Sequence, residues 1–198
     1  AYRFVPIKTE RRGIYYGHVN SDILYDNVMN KYVWGNVNDP DIFLDEYNRK
    51  EINILQARYM FARLAEVLNR EGKTEKAVEV LDKMFELFPN EIMPLTYDSF
   101  PAIEQYFVAG ENEKGVELTR QLADNCFAMV NYYLSLPNRF AAAVKTEQDR
   151  EISILRNIQY LTRKYNQDDL FNEVDGHLKE MIERLQGEVS TQQPAQDS

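Results

Sequence analysis

Carboxylates are the commonest reactive groups of this 198-residue chain, with 32 Asp and Glu beside 23 Lys and Arg, two His and a single Cys. Paired carboxylates perform general acid–base work where a cleft drives their pKa values apart. Such pairs abound here, but no stretch of sequence marks a cleft around one. Asp39, Asp41, Asp45 and Glu46 have the density of a calcium loop. Pro40, the apolar pair Ile42-Phe43 and the missing central Gly break its ligand spacing, and an acid-rich helix start after a turn accounts for them. Gly13-Ile14-Tyr15-Tyr16-Gly17 runs into His18-Val19 where a phosphate-binding loop carries Lys and Ser or Thr, so it is not one. Cys126 falls on the apolar face of a helix and reads as a small core residue. One Cys excludes a disulfide framework and a Cys-based zinc site, and His18 and His177 stand far apart in sequence. No catalytic residue, metal site or cofactor is predicted.

What remains is recognition chemistry. Trp34 with Asn36 is a candidate recognition surface, set against the commoner role of a Trp as a buried plug at a helix end. Asn131-Tyr132-Tyr133-Leu134-Ser135-Leu136 is read as a helix end packed on the next pair in preference to a ligand platform. The net charge of −9 argues against nucleic acid, which needs clustered Lys and Arg. No apolar run reaches the roughly 20 residues of a membrane helix, so the chain itself is not expected to insert. Residues 1–50 are neutral, with seven basic and seven acidic residues, and the acidic surplus belongs to residues 51–198. Arg3, Lys8, Arg11 and Arg12 read as a solvated arm more readily than as a membrane-attracting cluster. Ala1 opens without Met on the strand-like stretch Tyr2–Ile7, as in a chain that starts inside a larger protein.

These residues need elements to hold them, and the apolar periodicity is helical throughout. The pattern predicts an irregular arm over 1–20, a helical domain over 21–186 and a disordered polar tail over 187–198. Ser21 is expected to cap a first helix whose stripe ends at Gly35, followed by a turn over Asn36–Asp41. Further helices are expected at about 45–70, from Thr74 to Phe88, 99–109, from Glu111 towards Pro137, 139–165 and 169–185. Gly72 and Gly110 break the chain between helices.

An internal repeat is the strongest signal. Counting back from Pro89 as position 32 of a 34-residue tetratricopeptide unit puts Phe61, Leu64, Leu68, small Ala77 and Leu81 at positions 4, 7, 11, 20 and 24. The second turn glycine, Gly110, comes 38 residues after Gly72. Aligned on it, Tyr106 takes position 11 and Gly115 the small position 20, while Thr119 at position 24 fits poorly. The predicted fold is all-α, a tetratricopeptide-like array of helical hairpins forming an α-α superhelix behind an irregular N-terminal arm. First helices of successive hairpins line a concave face in such arrays. The register puts Tyr59, Ala62, Glu66 and Asn69, then Tyr97, Phe100, Glu104 and Phe107, on that face, which is therefore aromatic and acidic. It lacks the Lys or Arg with Asn that would clamp a peptide's C-terminal carboxylate.

Three stretches taken in order resemble a known family: Leu24-Tyr25-Asp26-Asn27-Val28-Met29-Asn30-Lys31-Tyr32-Val33-Trp34-Gly35-Asn36 with Asp39-Pro40, Phe61-Ala62-Arg63-Leu64-Ala65, and Asn131 to Leu136. Together they are similar to the C-terminal soluble region of multi-pass membrane proteins of Bacteroidetes, long catalogued as a domain of unknown function and grouped with protein O-mannosyltransferase-like glycosyltransferases. The likeness covers roughly residues 2–170. It implies a helical repeat domain on the periplasmic side of the inner membrane. In that family the membrane helices and the expected catalytic acid lie upstream, so no catalytic residue is carried over.

The expected function is a non-catalytic interaction or scaffolding domain of a membrane glycosyltransferase-like protein. Its partner would be an acceptor protein or peptide, or the parent's own membrane domain. The alternatives are an independent soluble enzyme using a carboxylate pair and a purely structural spacer.

Overall fold

The computed structural model describes residues 19–43, 45 and 54–190. The expected arm up to residue 18, the expected helix start over 46–53 and the tail from 191 lie outside the described residues.

Seven α-helices and no strand appear among the described residues: α1 (Ser21–Asp26), α2 (Ile54–Arg70), α3 (Thr74–Leu87), α4 (Phe100–Ala109), α5 (Asn112–Ser135), α6 (Ala141–Lys164) and α7 (Asp168–Ser190). Single 3₁₀ turns, Tyr97–Ser99 and Asn138–Phe140, lead into α4 and α6. α7 runs on through Ser190, so Gly187–Ser190 is helical and does not begin the expected tail.

The first helix departs from expectation at both ends. Its cap is Asn20, whose Oδ1 accepts the Ile23 N–H at 3.0 Å. Ser21 is buried instead and donates its hydroxyl to Glu71 at 2.6 Å, tying the start of α1 to the α2–α3 turn. Beyond Asp26 the chain widens into a π-helical turn over Asn27–Lys31, closed by Tyr32 N–H donating to Asn27 O at 2.8 Å. That bulge turns the backbone out of the helix before Gly35 and aims Trp34 inward.

The remaining six helices form three hairpins, and the turns that close them share one geometry. At the end of α2, Gly72 (φ +74°) places its N–H on Asn69 O at 3.0 Å and that of Lys73 on Leu68 O at 2.9 Å. At the end of α4, Gly110 (φ +85°) does the same, Gly110 N–H reaching Phe107 O at 3.1 Å and Glu111 N–H reaching Tyr106 O at 2.9 Å. The end of α6 repeats it with asparagine: Asn166 (φ +55°) donates to Arg163 O at 3.2 Å, and Gln167 to Thr162 O at 2.8 Å. The left-handed residue lets two backbone N–H groups turn back and satisfy the orphan carbonyls of the helix end.

α2 packs on α3 and α4, α4 on α3 and α5, and α5 on α6 and α7. Two apolar cores result. Phe61, Leu64, Leu68, Leu81 and Met84 centre the first, between α2 and α3. Ile103, Leu122, Leu155, Ile158 and Leu170 centre the second, among α4 to α7. Gly115 marks a close approach of α4 and α5, since a Cβ there would lie 2.8 Å from the Phe107 ring. Thr119 is fully buried but satisfied, its hydroxyl donating to Gly115 O at 2.6 Å, which reconciles a polar residue with a core position.

The connection from α3 to α4 is irregular and fixed from the side. Arg58 of α2, 3% exposed, donates Nη2 to Met93 O at 2.6 Å and Nη1 to Pro94 O at 3.3 Å. Asn125 of α5 holds the same segment from the other flank, through Leu95 O at 3.1 Å and Asn90 Oδ1 at 2.7 Å.

Candidate binding groove

α2 and α4 lie side by side, and the C-terminal end of α6 reaches them, leaving a groove of about 320 Å³. That is the low end of the range for ligand pockets, roughly 300–1,000 Å³, a fit for one or two side chains. α2 contributes Tyr59, Ala62, Arg63 and Glu66, one turn of the helix apart in steps of three and four. α4 contributes Pro101, Glu104, Gln105 and Val108, the last 51% exposed. Lys164 and Tyr165 close the far side from the end of α6.

Both carboxylates of the groove have basic partners. Glu66 pairs with Arg70 on its own helix, and Glu104 accepts Lys164 Nζ at 2.7 Å and the Tyr165 hydroxyl at 3.3 Å. Lys164 also sits 5.1 Å from the centre of the Tyr165 ring, a cation–π distance. The Lys164 ammonium is held more strongly protonated than usual, chiefly by its hydrogen bond to Glu104. Burial raises the Tyr165 phenol, with the Glu104 charge adding to it. The whole assembly is anchored from beneath by Phe107 and Tyr165, stacked at 4.9 Å with planes 16° apart.

Of the residues expected on this face, Tyr59, Ala62, Glu66 and Glu104 line the groove, and the others do not. Phe107 is 4% exposed and belongs to the core, pressed between Tyr165 and Gly115. Phe100 is half-buried against the second core. The positions that open onto the groove in α4 are each one residue later, Pro101 and Val108. The α6 end docks on the side of α4 that the repeat register assigns to the groove, Tyr165 stacking on Phe107 and Lys164 pairing with Glu104. Asn69 is half-buried and donates to Gln105 O and Oε1, both at 3.1 Å, so it braces α2 against α4. Tyr97 is exposed in the 3₁₀ turn before α4, outside the groove lining.

The groove is not simply aromatic and acidic, and basic groups are present after all. Arg63 follows Ala62 on the same face, and Lys164 arrives from a third hairpin that the glycine-based alignment did not register. Asn166 was the signal for that hairpin, because Asn is the residue other than Gly that tolerates the left-handed conformation.

Trp34 is turned towards the first core. It is half-buried, its ring lies 5.2 Å from Phe61 and 6.2 Å from Phe88, and its Nε1–H points to Val28 O at 3.4 Å. Trp34 closes the open end of the first core. Asn36 is exposed and its carbonyl accepts Asp39 N–H at 3.0 Å within the turn. Asp39 Oδ1 likewise accepts Asp41 N–H at 3.0 Å, as turn carboxylates do.

Cys126 is buried on α5, and burial raises its thiol well above the usual range. His177 packs edge-on against Phe127. Among the described residues no group of three or more His, Cys, Asp and Glu is arranged to hold a metal ion, and no helix is long and apolar enough to cross a membrane. In comparisons with known proteins, no family model, curated protein or solved structure matches the chain significantly.

Proposed function

We propose that this chain is a non-catalytic, tetratricopeptide-like interaction module whose α2–α4–α6 groove holds part of a protein or peptide. The observation that carries this is the position of the groove: it lies between the first helices of the first two hairpins and is closed by Lys164 and Tyr165 at the end of the third hairpin's first helix. The stacked hairpins of a repeat array leave such a face open by construction. The volume suits a side chain or two, with Val108 and Tyr59 as apolar contacts and Arg63, Glu66 and Lys164 at the rim.

The wider setting rests on the sequence resemblance: a soluble part of a membrane glycosyltransferase-like protein, on the periplasmic side, holding an acceptor or bracing the parent's membrane domain. Removing this part from such a parent should reduce transfer to protein acceptors.

Selection of displayed dodecapeptides against the whole chain tests the groove. Binders are expected to shift the amide resonances of α2 and α4 and to lose affinity at least tenfold with Val108→Arg. Binders that map elsewhere, or that ignore Val108→Arg, would defeat the proposal.

A carboxylate-pair enzyme has one observation in its favour, since Glu66 and Glu104 line one groove. Each is neutralised by its own cation, Arg70 or Lys164, an arrangement that favours holding a ligand over shuttling protons.

A further inference from the structure

The groove is the end of a longer feature. From Ile152 to Gln167 the chain carries Arg156, Arg163 and Lys164 and no acidic residue, in a molecule of net charge −9. Helical spacing sets Arg156, Tyr160 and Lys164 four residues apart in turn, on one side of α6 that ends in the groove wall. All three are exposed, and Tyr160, 68% exposed, belongs to neither core. An open aromatic ring between two cations is a contact surface for which the fold has no use.

The cations of this strip have donors to spare. Arg156 makes no hydrogen bond or ion pair among the described residues. Arg163 sits over the Phe171 ring at 4.2 Å and has no carboxylate partner among the described residues. Lys164 gives Glu104 one hydrogen bond, at 2.7 Å, and an ammonium group has three N–H donors. The next acids along the chain, Asp168 and Asp169, stand in the first turn of α7, where the helix dipole favours them.

We infer that the partner of the groove is an acidic peptide segment that lies along the outer face of α6 and delivers one side chain into the groove. This rests on the groove reading above and adds the charge and path of the ligand. Arg156 and Lys164 are eight residues apart, about 12 Å along a helix axis. Three to four residues of extended peptide, at about 3.3 Å each, cover the same span. Two carboxylates so spaced can meet Arg156 and Lys164 while the chain between them crosses the Tyr160 ring. A nucleic-acid duplex or a bilayer is wider than one helix and would also meet α7, which packs on α6 and carries seven acids against Lys179 and Arg184. A peptide is narrow enough to keep to the strip.

Random dodecapeptides displayed and selected against the whole chain are expected to yield binders with two acids three or four residues apart. A recovered binder should lose about tenfold in affinity with Arg156→Glu, with Tyr160→Ala, and when its own Asp and Glu are exchanged for Asn and Gln. Both substitutions fall on exposed positions, and unchanged circular dichroism and melting of the variants check that the fold is intact. Binders without acidic residues, or acidic binders indifferent to Arg156→Glu, would overturn the inference while Val108→Arg still reports on the groove. Acidic binders that need Arg156 but ignore Val108→Arg would defeat the groove reading, and this inference with it. Oligothymidylate or phosphatidylglycerol vesicles that bind through Arg156 where no peptide does, or self-association abolished by Arg156→Glu, would assign the strip to another occupant and equally sink the idea.

Discussion

Arg58 donates its Nη1–H to the Asp98 carboxylate at 3.0 Å with both side chains almost fully buried, 3% and 1% exposed. The pair locks the irregular segment after α3 onto α2, and so sets where α4 begins. Thr96 adds a second hydrogen bond to the same carboxylate, and Arg58 Nε is a buried donor without a partner.

Removing one member of such a pair strands a charge in the core, which costs about 3–5 kcal/mol. Asp98→Ala is expected to destabilise the chain by that amount in urea denaturation. The double variant Arg58→Met/Asp98→Leu should recover part of the loss, because no charge is left unpaired, while Met93 O loses its donor. Equal losses in the single and double variants would show that the ion pair is not the source.

Gly115→Ala sets helix propensity against packing. Ala is better in a helix by about 1 kcal/mol, yet its Cβ would meet the Phe107 ring at 2.8 Å. The ring is pinned by Tyr165 and cannot swing away, so overpacking of about 1–3 kcal/mol should win. Phe107→Leu in the same chain should remove most of the Gly115→Ala penalty in a double-mutant cycle.

The three left-handed turn residues differ in cost. Gly110→Ala forces a Cβ into the left-handed region and should cost about 1–2 kcal/mol. Asn166→Gly should change stability by a few tenths of a kcal/mol at most, since glycine adopts that conformation freely but gives the unfolded chain more entropy. Thermal unfolding of the two variants side by side checks the order.

Acid should loosen the attachment of α1. Glu71 is held below the usual carboxylate range by the Ser21 hydroxyl and Lys73, and Asp22 by its hydrogen bond and charge contact with Lys73. Carboxyls lowered on folding contribute above their unfolded value of about 4.5 or 3.8, and that contribution is lost as pH falls through the lowered values. Proton exchange at the α1 amides should accelerate there relative to α3, and Ser21→Ala should weaken the effect. At the same region Tyr25, donating to Glu79, has its phenol pushed up to about 12, so it stays protonated throughout.

Much of this architecture can be read from local sequence because its rules are local. Helix spans are set by apolar periodicity, and Gly72 and Gly110 announce turns that only a left-handed residue can make. The third turn escaped because Asn166 serves in place of glycine and Phe171 stands where Ala77 and Gly115 are small. The π-helical turn at Asn27–Lys31 escaped because nothing in its composition distinguishes one extra residue per turn. Groove residues were the least legible. Tyr59, Glu66 and Glu104 come from the hairpins that the repeat alignment reached. Lys164 and Tyr165 come from one it did not, 60 residues from Glu104 in the case of Lys164, and the docking of that helix end buries Phe107 and brings Val108 to the surface.

Recurrence of one closing turn has a mechanical consequence. The contacts of each hairpin are made mainly with itself and its neighbours, as in a quasi-one-dimensional chain of springs. If the hairpins stack as a repeat array, pulling at the ends is expected to release them one at a time, which force spectroscopy would read as steps. Arg58 and Asn125, which grip the segment between the first and second hairpins from both flanks, are the rivets where the load would gather first.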